Sequence, residues 1–146
     1  MSGTPAGPPR EPHGAEVSRS EQARACLALA LELPDAKVDH PLGTQSDLLR
    51  VGGKIFAMIG KHPTVSAEHW FVSLKVDPEL VPGLLAAHDD VRPGWHLNKR
   101  HWVSVVLHPG LDQEMLEQLV EDAYDLVVSR LPVRLRPITH QPRRGG

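Results

Sequence analysis

Apolar residues recur at helical spacing in two stretches of the chain, and between these lie short apolar runs of strand type. The first stretch places Ala23, Cys26, Leu27, Ala30 and Leu31 on one stripe. Ser18 and Glu21 stand ahead of it at capping-box spacing, and Pro34 closes it. The second aligns Leu116, Leu119, Val120, Ala123 and Val127, with Asp112 as its cap and Pro132 as its stop. Its other side carries Glu114, Glu117, Glu121, Asp122 and Asp125, which reads as a solvated helix face.

The strand-like runs Leu48 to Val51 and Lys54 to Ile59 are separated only by Gly52-Gly53, the pairing that a tight hairpin turn requires. A short edge strand is expected near Val38 to His40, a polar loop over Gly60 to Glu68, and strands over Trp70 to Val76 and Trp102 to Leu107. Asp77-Pro78 is a helix start, but Pro82-Gly83 follows so soon that the helix is either kinked or begins at Pro82, ending near Ala87. Pro93-Gly94 and Pro109-Gly110 are turn signals. Strands joined by short loops predict an α+β fold, an antiparallel sheet with helices packed on one face. One domain is expected over residues 18–132, between a Pro/Gly/Ala-rich disordered leader (1–17) and a disordered Pro/Arg-rich tail (133–146).

Charge changes this picture locally. The chain of 146 residues has a formal net charge of −2. Arg134, Arg136, Arg143 and Arg144 give the segment from Leu131 onward +4, and the leader carries −1, which leaves −5 on the body between them. A dedicated DNA-binding domain usually has the opposite sign, so any nucleic-acid site on this body has to be a local patch. No run approaches 18 consecutive apolar residues, the leader lacks the pattern of a signal peptide, and the lone Cys26 lies on a helical apolar stripe. These features predict a cytoplasmic protein without membrane association, and make Cys26 a core residue rather than a nucleophile.

The segment densest in chemistry is Arg92-Pro93-Gly94-Trp95-His96-Leu97-Asn98-Lys99-Arg100-His101-Trp102, which sets two histidines, an asparagine, cations and two tryptophans between a turn and a strand. This segment resembles the signature of the YjbR/MmcQ family, a proline-glycine turn running into His-x-Asn-Lys-x-His-Trp, at His96, Asn98, Lys99, His101 and Trp102. Pro41-Leu42-Gly43, Arg50-Val51-Gly52-Gly53-Lys54, Leu74-Lys75-Val76-Asp77-Pro78 and Tyr124-Asp125-Leu126-Val127 match further motifs, in order, from about Ala23 to Pro132. Pro82-Gly83 and the long tails depart from the pattern. The resemblance implies a frataxin-like (CyaY-like) architecture and a family often described as DNA-binding, a label that rests on likeness of fold.

Lys99 and Arg100 suit phosphates, Asn98 a phosphate or base edge, and Trp95 or Trp102 an exposed base, with Arg50, Lys54 and Lys75 widening the basic surface. The expectation is a non-catalytic, monomeric module that binds DNA through this patch. The alternative is a small anionic ligand or a protein partner at the same segment, where His96, Asn98, Lys99 and His101 supply donors. An architectural role for Asn98 and Trp102 competes with both. The histidines show no compact metal-ligand spacing, and the chain holds no nucleophile elbow, phosphate loop or zinc-protease signature, so neither metal, cofactor nor catalysis is expected.

Overall fold

Gly52 and Gly53 adopt φ of 58° and 83°, the left-handed pair that matches a hairpin turn to the natural twist of its strands. They join β2 (Asp47–Val51) to β3 (Lys54–His62), which pair antiparallel. The computed structural model describes residues 20–40, 46–62, 66–94 and 97–138. Around this hairpin β1 (Lys37–Asp39), β4 (Ser66–Lys75), β5 (Val91–Pro93) and β6 (Trp102–Leu107) complete a six-stranded sheet in the order β1-β2-β3-β4-β6-β5. Every neighbouring pair is antiparallel.

The pairing slips between Leu49 and Arg50, so that Leu49 faces Ala57 while Arg50 faces Ile55, and Phe56 is the extra residue. Such a bulge breaks the strict two-residue alternation. Phe56 and Ala57, adjacent in sequence, are accordingly both fully buried. Strand β2 keeps its alternation and buries Asp47, Leu49 and Val51.

Helix α1 (Glu21–Leu31) begins at Ser20, whose hydroxyl accepts the Ala23 amide at 3.1 Å. Ser20 therefore takes the capping position expected of Ser18, which lies outside the described residues. Ala23, Cys26 and Ala30 are buried, while Leu31 is 38% exposed and drops off the expected stripe. Helix α3 (Gln113–Ser129) is capped by Asp112, whose Oδ1 accepts the Met115 amide at 3.1 Å. All five predicted stripe residues of α3 are buried, joined by Tyr124 and Val128. The helix packs on β3 and β4, with α1 beside it against β4.

Tyr124 closes this layer. Its ring meets Phe56 edge-on, with centroids 5.5 Å apart, and its hydroxyl donates to the Pro34 carbonyl at 2.7 Å. One side chain thus ties α3 to the bulged strand and to the exit of α1. Val72, Leu74, Val103 and Val105 fill the centre of the core from the middle strands.

Two expectations, those for Gly60 to Glu68 and for Pro93, need correction. The loop expected over Gly60 to Glu68 is mostly sheet, because β3 runs on to His62 and β4 starts at Ser66. The segment taken for a plain turn around Pro93 contains β5, an edge strand, where the missing proline N–H forfeits no ladder bond. Asp77 caps a 3-10 turn (Pro78–Leu80) that leads into α2 (Val81–Ala87), so Pro82 falls in the first helical turn, where its amide is not needed. A 3-10 turn at Val133–Leu135 carries regular structure past Pro132. The predicted leader (1–17) lies outside the described residues. Among those described, no helix is long and apolar enough to cross a membrane, and no group of three or more His, Cys, Asp or Glu could hold a metal ion.

Burial, reinforced by Asp35 and Asp125, pushes the Tyr124 phenol from its ordinary 10.0 up to about 12. The folded state favours the neutral phenol, so this contribution to stability is complete below pH 10 and is lost as pH rises through about 12. Tyr124 is the sole tyrosine, so the ultraviolet absorbance change on phenol ionisation reports it alone. The native protein should ionise near pH 12 and the urea-unfolded chain near 10. The Tyr124→Phe variant should lose ~1 kcal/mol of unfolding free energy with the hydrogen bond. A native titration at the ordinary value would refute the buried, bonded phenol.

Candidate functional site

Antiparallel pairing brings the end of β2, the start of β3, the end of β4 and the start of β6 to the same end of the sheet. Arg50, Lys54, Lys75 and Trp102 belong to these strand ends, and the last turns of α3 pass beside them. Between them is an open groove of about 710 Å³, lined by Arg50, Gly52, Gly53, Lys54, Ile55, Lys75, Trp102, Leu126, Val127, Arg130, Leu131, Pro132 and Leu135. This volume falls within the range of about 300–1,000 Å³ usual for ligand sites. Among the described residues its lining includes four cations and no carboxylate.

Each cation is held differently. Arg50 donates from Nε to Asp39 Oδ2 at 2.7 Å and from Nη1 to the Gly53 carbonyl at 3.1 Å, so its guanidinium is fixed across the hairpin turn. Lys75 and Trp102 are register partners on β4 and β6 and project from the same face. The Lys75 ammonium lies 5.2 Å from the Trp102 ring centroid, a cation–π contact worth ~0.5–1 kcal/mol at an exposed site. Lys54 is exposed beside the turn, and Arg130 is the exposed C-cap of α3, where the helix dipole favours a cation.

Lys75 also marks a boundary. Beyond it a smaller cleft of about 330 Å³ is lined by Asp77, Asp122 and Asp125 together with Leu80, Leu84 and Leu119. The lining cations therefore gather on one side of Lys75, with Arg50 among them paired to Asp39, and the lining carboxylates on the other.

Two close approaches shape the groove. A side chain at Gly52 would place its Cβ 2.5 Å from Leu131 Cδ1, so the glycine turn lets Leu131 settle against the hairpin. A Cβ at Gly94 would stand 2.8 Å from the Trp102 Cβ and 2.9 Å from its carbonyl oxygen, which fixes where β6 begins.

The segment leading into Trp102 divides into separate roles. Asn98 accepts the Arg100 amide on its Oδ1 at 2.9 Å, and its carbonyl accepts the His101 amide at 3.0 Å. Asn98 thus holds a local turn by mimicking backbone, as asparagine commonly does. Lys99 and Arg100 are exposed on that turn and do not line the groove. The His101 carbonyl accepts the Val76 amide at 2.9 Å, and its Nδ1 is shut from solvent with no partner among the described residues. Trp95 and His96 lie outside the described residues.

Comparison with known proteins settles the lineage. A family model described as YjbR matches residues 31–126. The chain belongs to the YjbR family. It is 38% identical over 122 residues to YjbR of Escherichia coli (strain K12), covering 84% of this chain and 97% of that protein. It is 35% identical over 106 residues to YbdF of Escherichia coli O157:H7, with 73% and 84% coverage. A crystal structure of the Deinococcus radiodurans protein DR2400 is similar with a TM-score of 0.64 at 30% identity, over 74% of this chain and 80% of that one. A crystal structure of a Pseudomonas syringae protein gives 0.62 at 28%, over 70% and 96%.

In this YjbR-family chain the groove gathers Arg50, Lys54, Lys75 and Trp102 from the ten site residues expected, and leaves Asn98, Lys99, Arg100 and His101 on the adjoining turn. Sequence reasoning missed Arg130 and the apolar wall of Leu131 and Leu135. A cation at the C-cap of a helix was the available signal for Arg130. Nothing in the spacing places that helix end against the β2–β3 hairpin, 80 residues earlier in the chain.

The tight contact at Gly94 yields a direct comparison with Gly83, where a Cβ would meet nothing within 4 Å. Gly94→Ala should destabilise the protein by ~1–3 kcal/mol through overpacking against Trp102. Gly83→Ala, within α2, should stabilise it by ~0.4–1 kcal/mol. Urea midpoints moving in the same direction for both variants would contradict the described packing.

Proposed function

We propose that this YjbR-family protein is a non-catalytic binding module that holds the phosphate backbone of DNA at the basic end of its sheet. The observation that carries the reading is the groove lined, among the described residues, by four cations and no carboxylate, on a body whose net charge is −5. In such a body cations are not gathered by composition alone. An open site rimmed by Arg50, Lys54, Lys75 and Arg130 offers a local field suited to phosphates. Lys99 and Arg100 are exposed on the turn that leads into Trp102 and add two cations near that strand end. The acidic cleft beyond Lys75 limits the direction in which a polyanion can lie. A monomeric, cytoplasmic protein with frataxin-like (CyaY-like) architecture is part of the same proposal.

One observation favours a second reading. Ile55, Leu126, Leu131 and Leu135 give the groove an apolar wall that phosphates alone do not use, and a small organic anion or an acidic protein segment would cover it.

Fluorescence anisotropy of a labelled duplex, titrated across a salt series, separates these readings. The logarithm of affinity should fall with the logarithm of salt at a slope of about −0.9 per phosphate neutralised. The Lys54→Ala/Lys75→Ala variant should bind more weakly to every sequence and lose about two from the magnitude of that slope. An Arg143→Ala/Arg144→Ala variant should retain the groove's share of binding. Loss of all binding in the arginine variant, with none in the lysine variant, would refute the groove as the DNA site.

A further inference from the structure

We propose that the nucleic acid held by this groove is single-stranded, with one unpaired base laid against Trp102 and its flanking phosphates on Arg50, Lys54 and Arg130. The inference rests on the nucleic-acid reading above and specifies the form of the ligand. A duplex presents phosphates on a convex surface and keeps its bases stacked inside. Docked here, it would meet the cationic rim and leave the wall of Ile55, Leu126 and Leu131 in water. An unpaired strand has both parts the groove matches, charge along the backbone and a flat apolar face on each base. Single-strand sites combine a basic groove with an aromatic platform in this way.

The geometry around Trp102 supplies the platform. Its backbone is pinned by the Gly94 approach and by pairing with Lys75, so the indole enters the groove from a fixed strand end. The ring is only half-buried, and the Lys75 ammonium stands over it at 5.2 Å. An arriving base replaces the ammonium on the ring, and the flexible lysine turns to an adjacent phosphate. The contact exchanged is weak, and a charge-assisted contact to phosphate takes its place. Repulsion from Asp77, Asp122 and Asp125 keeps the strand on the hairpin side of Lys75.

The test compares a labelled 15-nucleotide mixed-sequence single strand with its blunt duplex at matched salt, using the full chain. The single strand should bind at least tenfold tighter. Trp102→Leu should weaken single-strand binding roughly five- to hundred-fold, the range of base–aromatic stacking, without changing the salt slope. Trp102→Phe should restore most of it, and the urea midpoints of both variants guard against a folding defect. Duplex binding equal to or tighter than single-strand binding would overturn this inference and leave the DNA reading standing, as would single-strand binding indifferent to Trp102→Leu. Failure of both probes would overturn both readings. Capture of an acidic, leucine-bearing peptide in their place, lost in Trp102→Leu, would assign the groove to a protein partner.

Discussion

The contact between Tyr124 and Phe56 fixes the position of nearly everything that matters at the basic end of the molecule. Phe56 reaches the helix layer because a bulge turns two successive residues of β3 inward, and Tyr124 meets it edge-on while bonding the Pro34 carbonyl. The azimuth of α3 over the sheet is set there. With the helix so placed, its last turn runs alongside the Gly52-Gly53 hairpin, and Leu131 drops into the space the glycine leaves. The groove is the gap that remains between a helix held by its middle and a sheet that ends beneath it.

Its electrostatics follow from chain connectivity as much as from composition. Antiparallel strands alternate in direction, so residues at the close of β2 and β4 become neighbours of residues at the opening of β3 and β6. Arg50, Lys54 and Lys75 are distant in sequence but occupy such positions. The acids of α3, by contrast, occupy the flank of the helix, and Asp122 and Asp125 face the cleft across Lys75. A protein with negative overall charge thereby lines the clefts on the two sides of one lysine with side chains of opposite charge.

Most of the scaffold was legible because short-range chemistry wrote it. Two glycines between apolar runs gave the hairpin, Asp112 and Asp77 gave helix starts, and the stripe from Leu116 to Val127 gave the face that α3 buries. The bulge at Phe56 was invisible, since it depends on what the neighbouring strand does. Strand β5 was hidden by Pro93-Gly94, which reads as a turn and only becomes an edge strand once Val91 finds Val105. The candidate site was half legible for the same reason. The segment from Arg92 to Trp102 announced itself by density of polar chemistry, yet Asn98 spends its side chain on a turn, and among the described residues of the segment only Trp102 reaches the groove. Arg130 and Leu131 are brought there by the angle of a helix, a property that no local pattern encodes.

The burial of Cys26 has a practical meaning. The thiol is 1% exposed on the inner side of α1, and burial alone pushes its pKa from 9.0 up to about 12. The reactive thiolate is therefore scarce at neutral pH, and reagents cannot reach it without opening the helix layer. The natural chain is in effect thiol-silent. A cysteine introduced on the rim of the groove would be the single addressable position on the folded surface, ready to carry a fluorophore, a spin label or a crosslinker with no background from the native sequence.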